Sequence, residues 1–334
     1  MSEAAKKSDS NWPKDEFAAK EVAAQFFWII PAVIALLASL LLPAINLGKR
    51  KPSVVAYCAQ DQTYAEEIFR DFQKQTGIRV LAVYDSEAVK TVGLANRLLA
   101  ERNHPQCDLF WGNEEMRARQ LAAQDIFRED KGLAFFGHRS RCLVYNTKKV
   151  ATESVPHSLL ELTNEIWRGR VSLAYPQFGT TAAHFHALRQ HWGEAAWENW
   201  CRALVANKPV LVDGNSVVVK MVGGGEALVG LTDSDDIAAA QADGLPVARA
   251  PDFKETMLIA NSLGITRGAP HASPAQELFE YLQKRATIDK LVAAHALEGL
   301  SPAAPAEPGL KVDWNHLLQD LNATTEKLNQ IFLR

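Results

Sequence analysis

The chain has 334 residues, enough for two domains of ordinary size, and its composition of 47% hydrophobic and 22% charged residues is typical of chains that bury a core. The net charge of -3 leaves no basic field for nucleic acid, so we expect no nucleic-acid partner. Four widely spaced cysteines, Cys58, Cys107, Cys142 and Cys201, form no CxxC pair, which argues against a zinc site. Two disulfides and four buried thiols both stay open as interpretations.

An apolar segment lies near the N-terminus. Residues 22–48 carry no charge, and residues 26–45 are long enough to cross the hydrocarbon core of a bilayer. A long region of mixed charge precedes the segment, and no clean small-x-small cleavage site follows it. We therefore predict an uncleaved transmembrane anchor over 26–45 in preference to a cleaved signal segment. Basic residues on both flanks leave its orientation open.

Strand and helix patterns alternate after this segment. SVVAY (Ser53–Tyr57), RVLAVYD and CDLFWGN predict three strands, each followed by a helical pattern. The first helix places Ala65, Ile68, Phe69 and Phe72 on one face and ends at Gly77; the second turns Val89, Val92, Leu98 and Leu99 inward. This order predicts a parallel sheet, in which ligands bind beyond the carboxyl ends of the strands. That rule selects Gln60, Asp61, Asp85 and Glu114.

The segment SRCLVYNTKKV (Ser140–Val150) predicts an extended connection into a second lobe, where the alternation resumes. There the turn FGTT (Phe178–Thr181) follows a strand and opens a helix. The free N–H groups of Gly179, Thr180 and Thr181, with two hydroxyls, suit an anion. We also expect Thr180 or Thr181 to cap that helix. Asn215, after the strand PVLVDGN, is a further candidate for ligand contact.

The stretch GLTDSDD (Gly230–Asp236) concentrates carboxylates and hydroxyls at the end of a predicted strand. Thr232, Asp233, Ser234 and Asp235 are its candidate ligand-binding residues, and we expect Asp233 or Ser234 to cap the next helix. Carboxylates bind hard cations, although the rest of an EF-hand loop is missing. They also suit a ligand with an ammonium group or hydroxyls. An aminoalkyl phosphonate would place its anion at FGTT and its amine at these acids.

Two strands, PVARAP and TMLIANSLGITRG, then lead back towards the first lobe, followed by two helices, SPAQELFEYLQKRAT and IDKLVAAHAL. A Pro/Ala-rich linker spans 301–309. The remaining tail predicts one packing helix. Its apolar face consists of Trp314, Leu317, Leu318, Leu321, Leu328 and Phe332.

These segments together resemble the extracellular solute-binding proteins of ABC importers. The similarity is greatest to the branch that holds ferric-ion-binding proteins and relatives for phosphonates and phosphorylated small molecules. VVAYCAQDQTYAEEIF, CDLFWGNEE, AYPQFGTTAAH and GNSVVVKMVGGGEALVGLTDSDD carry the resemblance, which covers about 53–334. It implies an α/β fold of two doubly wound lobes joined by a hinge, like type II periplasmic binding proteins. Lobe 1 would comprise 53–141 and 251–334, and lobe 2 142–250.

The resemblance also implies export, with 1–25 as a cytoplasmic tail and the globular part periplasmic or extracellular. Glu114 matches a carboxylate ligand of the ferric-binding relatives, and FGTT matches the turn that holds an anion beside their metal. This chain departs from that pattern at two places. Neither Gln60 nor Asp61 is the histidine that some relatives use, and Thr232–Asp236 replaces their adjacent tyrosines. Tyr57, Tyr84 and Tyr175 lie near strand ends, so a rearranged phenolate site stays open.

We therefore expect a membrane-tethered receptor that delivers iron(III), a phosphonate or a phosphorylated small molecule to a permease and an ATPase. No GxSxG, HExxH, P-loop or dinucleotide motif occurs, so we predict no catalytic residue and no enzyme activity. No cofactor is expected beyond a metal ion carried as solute. The alternatives are a membrane-anchored ligand-sensing module without a transport role and, less favoured, an enzyme that uses the carboxylates as acid and base.

Overall fold

The computed structural model describes residues 51–85, 90–299 and 309–333. The predicted tail over 1–25 and anchor over 26–45 lie outside these residues, as does most of the linker. Within the described ranges, no helix is both long and apolar enough to span a bilayer.

The predicted alternation of strands and helices is confirmed in the first part of the chain. The elements are β1 (Ser53–Cys58), α1 (Gln62–Thr76), β2 (Arg79–Val83), α2 (Lys90–Ala100), β3 (Leu109–Gly112) and α3 (Glu115–Ala123). Helix α1 buries the predicted face of Ala65, Ile68, Phe69 and Phe72. It ends at Gly77, whose φ of 74° is the left-handed conformation that glycine adopts without strain.

The predicted inward face of helix α2 is confirmed in part. Leu98 is buried as predicted, and Leu99 is half-buried against the same apolar cluster. Leu94 and Ala95, which the prediction left out, are buried there too, whereas Val92 is only half-buried. Val89 lies outside the described residues. Leu94 and Leu98, four residues apart, share one face of the helix.

The second part of the chain contains six more strands and eight more α-helices within the described residues. They are β4 (Leu133–Asn146), β5 (Val171–Ala174), α4 (Gly179–Trp192), α5 (Glu194–Ala206), β6 (Val210–Val212), α6 (Asn215–Gly224), β7 (Val229–Asp233), α7 (Ser234–Ala242), β8 (Val247–Arg249), β9 (Met257–Ile265), α8 (Ala272–Leu282), α9 (Arg285–Ala293), α10 (Trp314–Gln319) and α11 (Leu321–Phe332). The expected connection from Ser140 is therefore part of a longer strand that starts at Leu133.

The strands form one sheet in the order β2-β1-β3-β9-β4-β7-β5-β6, with β8 also paired to β4. Strands β1 to β3 are parallel to one another, and so are β5 to β7. The two sets run in opposite directions, because β9 is antiparallel to β3 and β4 is antiparallel to both β9 and β7. We call the two sets, with their helices, the first and second halves of the sheet.

The register of β4 brings the carboxyl ends of the two halves face to face. Gly112, the last residue of β3, pairs with Ser262, which in turn pairs with Phe135 of β4. Asp233, the last residue of β7, pairs with Arg141 of the same strand. The six residue steps from Phe135 to Arg141 correspond to about 20 Å of extended chain. In parallel sheets, ligands bind at the carboxyl ends of the strands, so the gap between the ends of β3 and β7 is the expected place for a ligand site.

The core consists of apolar clusters on the faces of both halves. Phe72 and Trp111 lie in a first-half cluster, and Phe185 and Trp200 in a second-half cluster. All four cysteines are buried and free, which agrees with the second of the two interpretations of the sequence.

The C-terminal tail forms two helices, and the prediction of a single helix was wrong. Helix α10 ends at Gln319 and α11 starts at Leu321, with Asp320 between them. Leu317, Leu321 and Leu328 are buried in the same cluster as Phe185. Helix α10 packs against α3 of the first half and α4 of the second, and α11 packs against α4 and α5. The assignment of residues to lobes stays a prediction.

Candidate functional site

A polar cavity of about 50 Å³ lies between the facing strand ends. This volume is enough for about four water molecules, since one water needs about 10–15 Å³ by this measure. Asp61, Thr91 and Asn113 line it from the first half, and Arg139 lines it from β4. The second half contributes Ala174, Tyr175, Phe178, Gly179, Thr180, Thr181, Asp213, Gly214, Asn215, Asp233, Asp235 and Asp236.

Four helices begin at the cavity wall. The residues that precede α1, α4, α6 and α7 are Asp61, Phe178, Gly214 and Asp233, and all four line the cavity. Phe178 and Gly214 have no side-chain acceptor, and neither Asp61 nor Asp233 accepts a capping hydrogen bond from its own helix. Helix N-termini carry partial positive charge and spare N–H donors, so this wall favours an anionic group.

The expectation that Thr180, Thr181, Asp233 or Ser234 caps a helix was wrong. Asp233 occupies the capping position of α7, but its carboxylate bonds to side chains elsewhere. The two threonines lie inside the first turn of α4, after Phe178. Their hydroxyls form hydrogen bonds with other side chains, so the N-terminus of the helix has no side-chain cap.

Asp233 is the centre of a buried network. Its Oδ1 accepts from Arg141 Nη1 at 2.8 Å, and its Oδ2 accepts from Thr180 Oγ1 at 2.8 Å and Asn215 Nδ2 at 3.1 Å. Arg139 Nη2 lies 3.3 Å from the same Oδ2. Burial acts to raise the pKa of Asp233, but Arg141, Arg139 and these hydrogen bonds outweigh it and hold that pKa below its usual value. The carboxylate is thus already satisfied by the protein.

The side chains of Thr181 and Asn215 in this wall are also engaged. Thr181 Oγ1 accepts from Arg141 Nη2 at 3.1 Å and donates to Asn215 Oδ1 at 3.4 Å. Asn215 Nδ2 donates to Thr180 Oγ1 at 2.9 Å. These side chains therefore hold one another, and the backbone N–H groups of the first helical turns are the donors left for a ligand.

Asp235 and Asp236 differ from Asp233 in their surroundings. Burial raises the pKa of Asp235 to about 7, against the opposing effect of Arg139. Burial, together with Asp235 and Asp233, raises the pKa of Asp236 well above its usual value. Arg139 Nε lies 3.3 Å from Asp235 Oδ1, yet this buried oxygen accepts no hydrogen bond from any described residue. The pair would gain from a bound cation or hydrogen-bond donor.

The three carboxylates could also hold a metal ion. Asp233, Asp235 and Asp236 each offer an oxygen within 4.8 Å of the others. Hard cations prefer such oxygen ligands. Because Asp233 is already paired with both Arg139 and Arg141, Asp235 and Asp236 are the better candidates for metal ligands.

The other predicted residues do not line the cavity. Glu114 is fully buried and caps α3, accepting from Arg117 N at 3.0 Å; burial raises its pKa to about 7. Asp85 is exposed. Gln60 is buried, and its Oε1 accepts from Asn261 Nδ2 at 3.4 Å. The last two, Thr232 and Ser234, bond to neighbouring parts of the second half and β4. Roles of these five in ligand binding stay predictions.

The sequence analysis missed two arginines of the site: Arg139, which lines the cavity, and Arg141, which is buried behind its wall. They stand two apart in the extended segment HRSRCLVYN and so share one face of a strand. That spacing of charges in an otherwise apolar strand could have identified them. Of the three tyrosines considered, Tyr175 lines the cavity, whereas Tyr57 donates to Glu101 elsewhere.

Comparisons with known proteins agree with this architecture. A family model described as bacterial extracellular solute-binding protein matches residues 54–294. The Fe(3+)-binding periplasmic protein of Serratia marcescens is 28% identical over 211 residues, which are 58% of this chain and 61% of that protein. The major ferric iron-binding protein of Neisseria gonorrhoeae is 26% identical over 193 residues, 52% of this chain and 56% of that protein. The matched region is thus less than two thirds of either relative.

Two solved structures share the fold. Iron-bound HitA from Pseudomonas aeruginosa superimposes with a TM-score of 0.72 at 18% identity, covering 83% of this chain and 99% of HitA. The periplasmic binding protein AfuA from Actinobacillus pleuropneumoniae, with exogenous fructose-6-phosphate bound, gives a TM-score of 0.73 at 15% identity, covering 85% and 99%. At these identities the likeness establishes the α/β fold of periplasmic binding proteins.

Proposed function

Because this chain belongs to the family of bacterial extracellular solute-binding proteins, we propose that it is the substrate-binding component of an ABC-type importer. It captures a small solute in the cavity between the two halves and delivers it to permease and ATPase subunits. The solute is a phosphonate, a phosphorylated small molecule or iron(III). The observation that carries the proposal is the meeting of four helix N-termini from both halves at one polar cavity.

The chemistry of the wall favours a phosphorylated or phosphonate solute over iron(III). Spare N–H groups at the starts of α4 and α6 suit the oxygens of a tetrahedral anion. Across the cavity, Asp235 and Asp236 suit hydroxyl or ammonium groups on the same molecule. Iron(III) would have these two carboxylates and Tyr175 as hard ligands, without paired tyrosines. HitA has iron bound and AfuA has fructose-6-phosphate bound, so these two structures of the same fold support both solute classes.

Solute capture by hinge closure follows from the same geometry. Each half supplies part of the wall, so a solute that touches both stabilises the closed arrangement by its differential affinity. Strand β4 links the halves, and its register shifts between Phe136 and His138, midway between the two strand ends. We propose this irregularity as part of the hinge. A hinge at this point would lie a few residues before the predicted lobe boundary at Arg141, and the tail helices, which the sequence assigned to lobe 1, pack on the second-half cluster.

The chain's location is part of the proposal. The globular part is periplasmic or extracellular, and residues 26–45 tether it to the cell membrane in a single pass. No catalytic step is assigned, since the family name describes solute binding. The alternative of a ligand sensor without a transport role is separated by co-purification. Recovery of a permease and an ATPase with the chain supports the importer, and recovery of a signalling protein alone contradicts it.

The solute is identified by native mass spectrometry and elemental analysis of protein purified from its host. Isothermal titration calorimetry then compares fructose-6-phosphate, 2-aminoethylphosphonate, inorganic phosphate and iron(III) citrate. A phosphorus-containing adduct and affinity for a phosphorus compound support the favoured solute class. Bound iron, with affinity for iron(III) citrate alone, shifts the assignment to iron. Absence of any binding to these four contradicts the proposed function.

The variant Asp235→Asn tests whether this cavity is the site. It keeps the shape of the side chain but removes a charge and an acceptor at the wall. We expect weaker binding of the solute that the wild type binds. The matched control is Asp130→Asn, the same change at an exposed residue that does not line the cavity. Equal affinity of Asp235→Asn and wild type would contradict the placement of the site.

A further inference from the structure

Arg141 is fully buried and does not line the cavity, although it lies directly behind the cavity wall. It belongs to β4, opposite Asp233 in the register of β4 and β7. A buried guanidinium has a large desolvation cost and needs several partners. The hydrogen-bond partners of Arg141 therefore indicate its role.

The guanidinium of Arg141 reaches the starts of three helices. Nη1 donates to Asp233 Oδ1 at 2.8 Å, before α7, and to Asn215 Oδ1 at 2.9 Å, at the first residue of α6. Nη2 donates to Thr181 Oγ1 at 3.1 Å, in the first turn of α4. Longer contacts join it to Thr180 Oγ1 at 3.5 Å and to Leu231 O at 3.4 Å. One side chain thus links the three helix N-termini of the second half that form the wall.

Arg139, on the same face of β4, has a different position. It lines the cavity itself, and it contacts Asp233 and Asp235 from that side. Its Nη1 donates to Asn261 Oδ1 of β9 at 3.3 Å. Arg139 is therefore able to touch a solute, whereas Arg141 acts only through the residues that it holds.

The contacts of Arg141 require a planar group with several donors. A lysine at this position could neutralise Asp233, but its single ammonium group cannot also face Asn215, Thr181 and the Leu231 carbonyl in fixed directions. Thr181 and Asn215 would lose their partner and reorient. The first turns of α4 and α6 would then be less fixed, and the N–H groups that face the anion would lose their alignment. Small misplacements of this kind lower affinity strongly.

We propose that Arg141 is the positioning residue of the solute site. It holds the first turns of α4, α6 and α7 in the arrangement that receives the anionic group of the solute, without contacting the solute. This inference rests on the proposed function, because it concerns the same site.

The test uses the variants Arg141→Lys, Thr181→Val and the double variant, with inorganic phosphate as the probe in isothermal titration calorimetry. We expect Arg141→Lys to weaken phosphate binding about tenfold or more. If Arg141 acts through Thr181, the Thr181→Val change adds little to the loss in the Arg141→Lys background. The control is Arg117→Lys, a half-buried arginine outside the cavity wall, which should leave phosphate affinity unchanged.

A second readout needs no solute. Methyl NMR resonances of Thr180 and Thr181 in the ligand-free protein should shift in Arg141→Lys and stay in place in Arg117→Lys, because only the first change alters the partners of these hydroxyls. Should Arg141→Lys fail to fold, Thr181→Val alone tests the contact. It leaves Arg141 paired with Asp233, and we expect a loss of phosphate affinity together with a shift of the Thr180 methyl signal.

The outcomes separate this inference from the proposed function. Phosphate affinity in Arg141→Lys equal to that of the wild type overturns the positioning role and leaves the proposed function intact. Strictly additive losses in the double variant overturn it as well. A wild type that binds iron(III) citrate but no phosphate keeps the proposed function and overturns the inference. A wild type that binds none of the four solutes overturns both.

Discussion

Asp233 and Asp235 are two residues apart and both buried, but their surroundings shift their pKa values in opposite directions. Arg141 and Arg139 offset the burial of Asp233 and lower its pKa. Burial dominates at Asp235 and raises its pKa to about 7 from a usual value of 3.8. The same substitution at the two positions, aspartate to asparagine, should therefore change the free energy of unfolding in opposite directions.

Asp235→Asn is expected to stabilise the solute-free protein at pH 8. An acid whose pKa is raised by folding contributes stability that is fully present below its unfolded pKa and is lost as the pH rises through its folded pKa. For Asp235 this window runs from about pH 4 to about pH 7. A difference of about three pKa units corresponds to on the order of 4 kcal/mol. Asparagine does not ionise, so the variant escapes this loss above pH 7 and resembles the wild type near pH 4.

Urea unfolding followed by circular dichroism, at several pH values from 4 to 8 and without solute, measures the effect. Asp233→Asn is the matched control. It leaves Arg141 and Arg139 without their shared carboxylate, and loss of one partner of a buried ion pair costs about 3–5 kcal/mol. The wild type should lose the contribution of Asp233 only in acid, as the pH falls below about 4 and through the lowered folded pKa. Equal pH slopes for Asp235→Asn and wild type would refute the reasoning.

Three further predictions concern the fold. Glu114→Ala removes the cap of α3 and should lower the free energy of unfolding, measured in urea, by about 1 kcal/mol. We expect the solute affinity measured by calorimetry to stay unchanged, and a loss of affinity would place this carboxylate at the solute. Leu328→Ala empties a fully buried position in α11 and should cost about 2–5 kcal/mol in urea, whereas a cost below about 1 kcal/mol would contradict the packing of the tail. Gly264→Ala brings a methyl group 2.2 Å from the Phe127 ring and should cost about 1–3 kcal/mol, so an unchanged thermal midpoint would be evidence against this close approach.

The sequence predicted those features that depend on local pattern. The buried face of α1 and its end at Gly77 follow from periodicity and glycine conformation, and both are confirmed. The rule that ligands bind at carboxyl ends of strands selected Gln60, Asp61, Asp85 and Glu114, of which only Asp61 lines the cavity. The second-half candidates at strand ends, FGTT, Asn215 and Asp233, line it as well. These features depend on residues that are neighbours in the chain or on a general property of parallel sheets.

Features that depend on contacts between residues far apart in the sequence could not be predicted from local pattern. Burial of Arg141 is stable only because Asp233, 92 residues later, lies opposite it, and the pairing appears only when β4 and β7 are in register. The same contacts explain why Thr180 and Asp233 do not cap their helices, as local pattern suggested. The break of the tail at Asp320 is likewise a tertiary effect, since α10 and α11 each pack against the second half.

The place of β9 in the sheet bears on the order in which the chain folds. β9 pairs with β3 on one side and β4 on the other, although Leu109 and its partner Ile265 are far apart in the sequence. A nascent chain that ends before Met257 therefore lacks the strand that joins β3 to β4, and both keep unpaired edges. Closing so long a loop is slow. The topology thus delays completion of the first half until most of the polypeptide has been made.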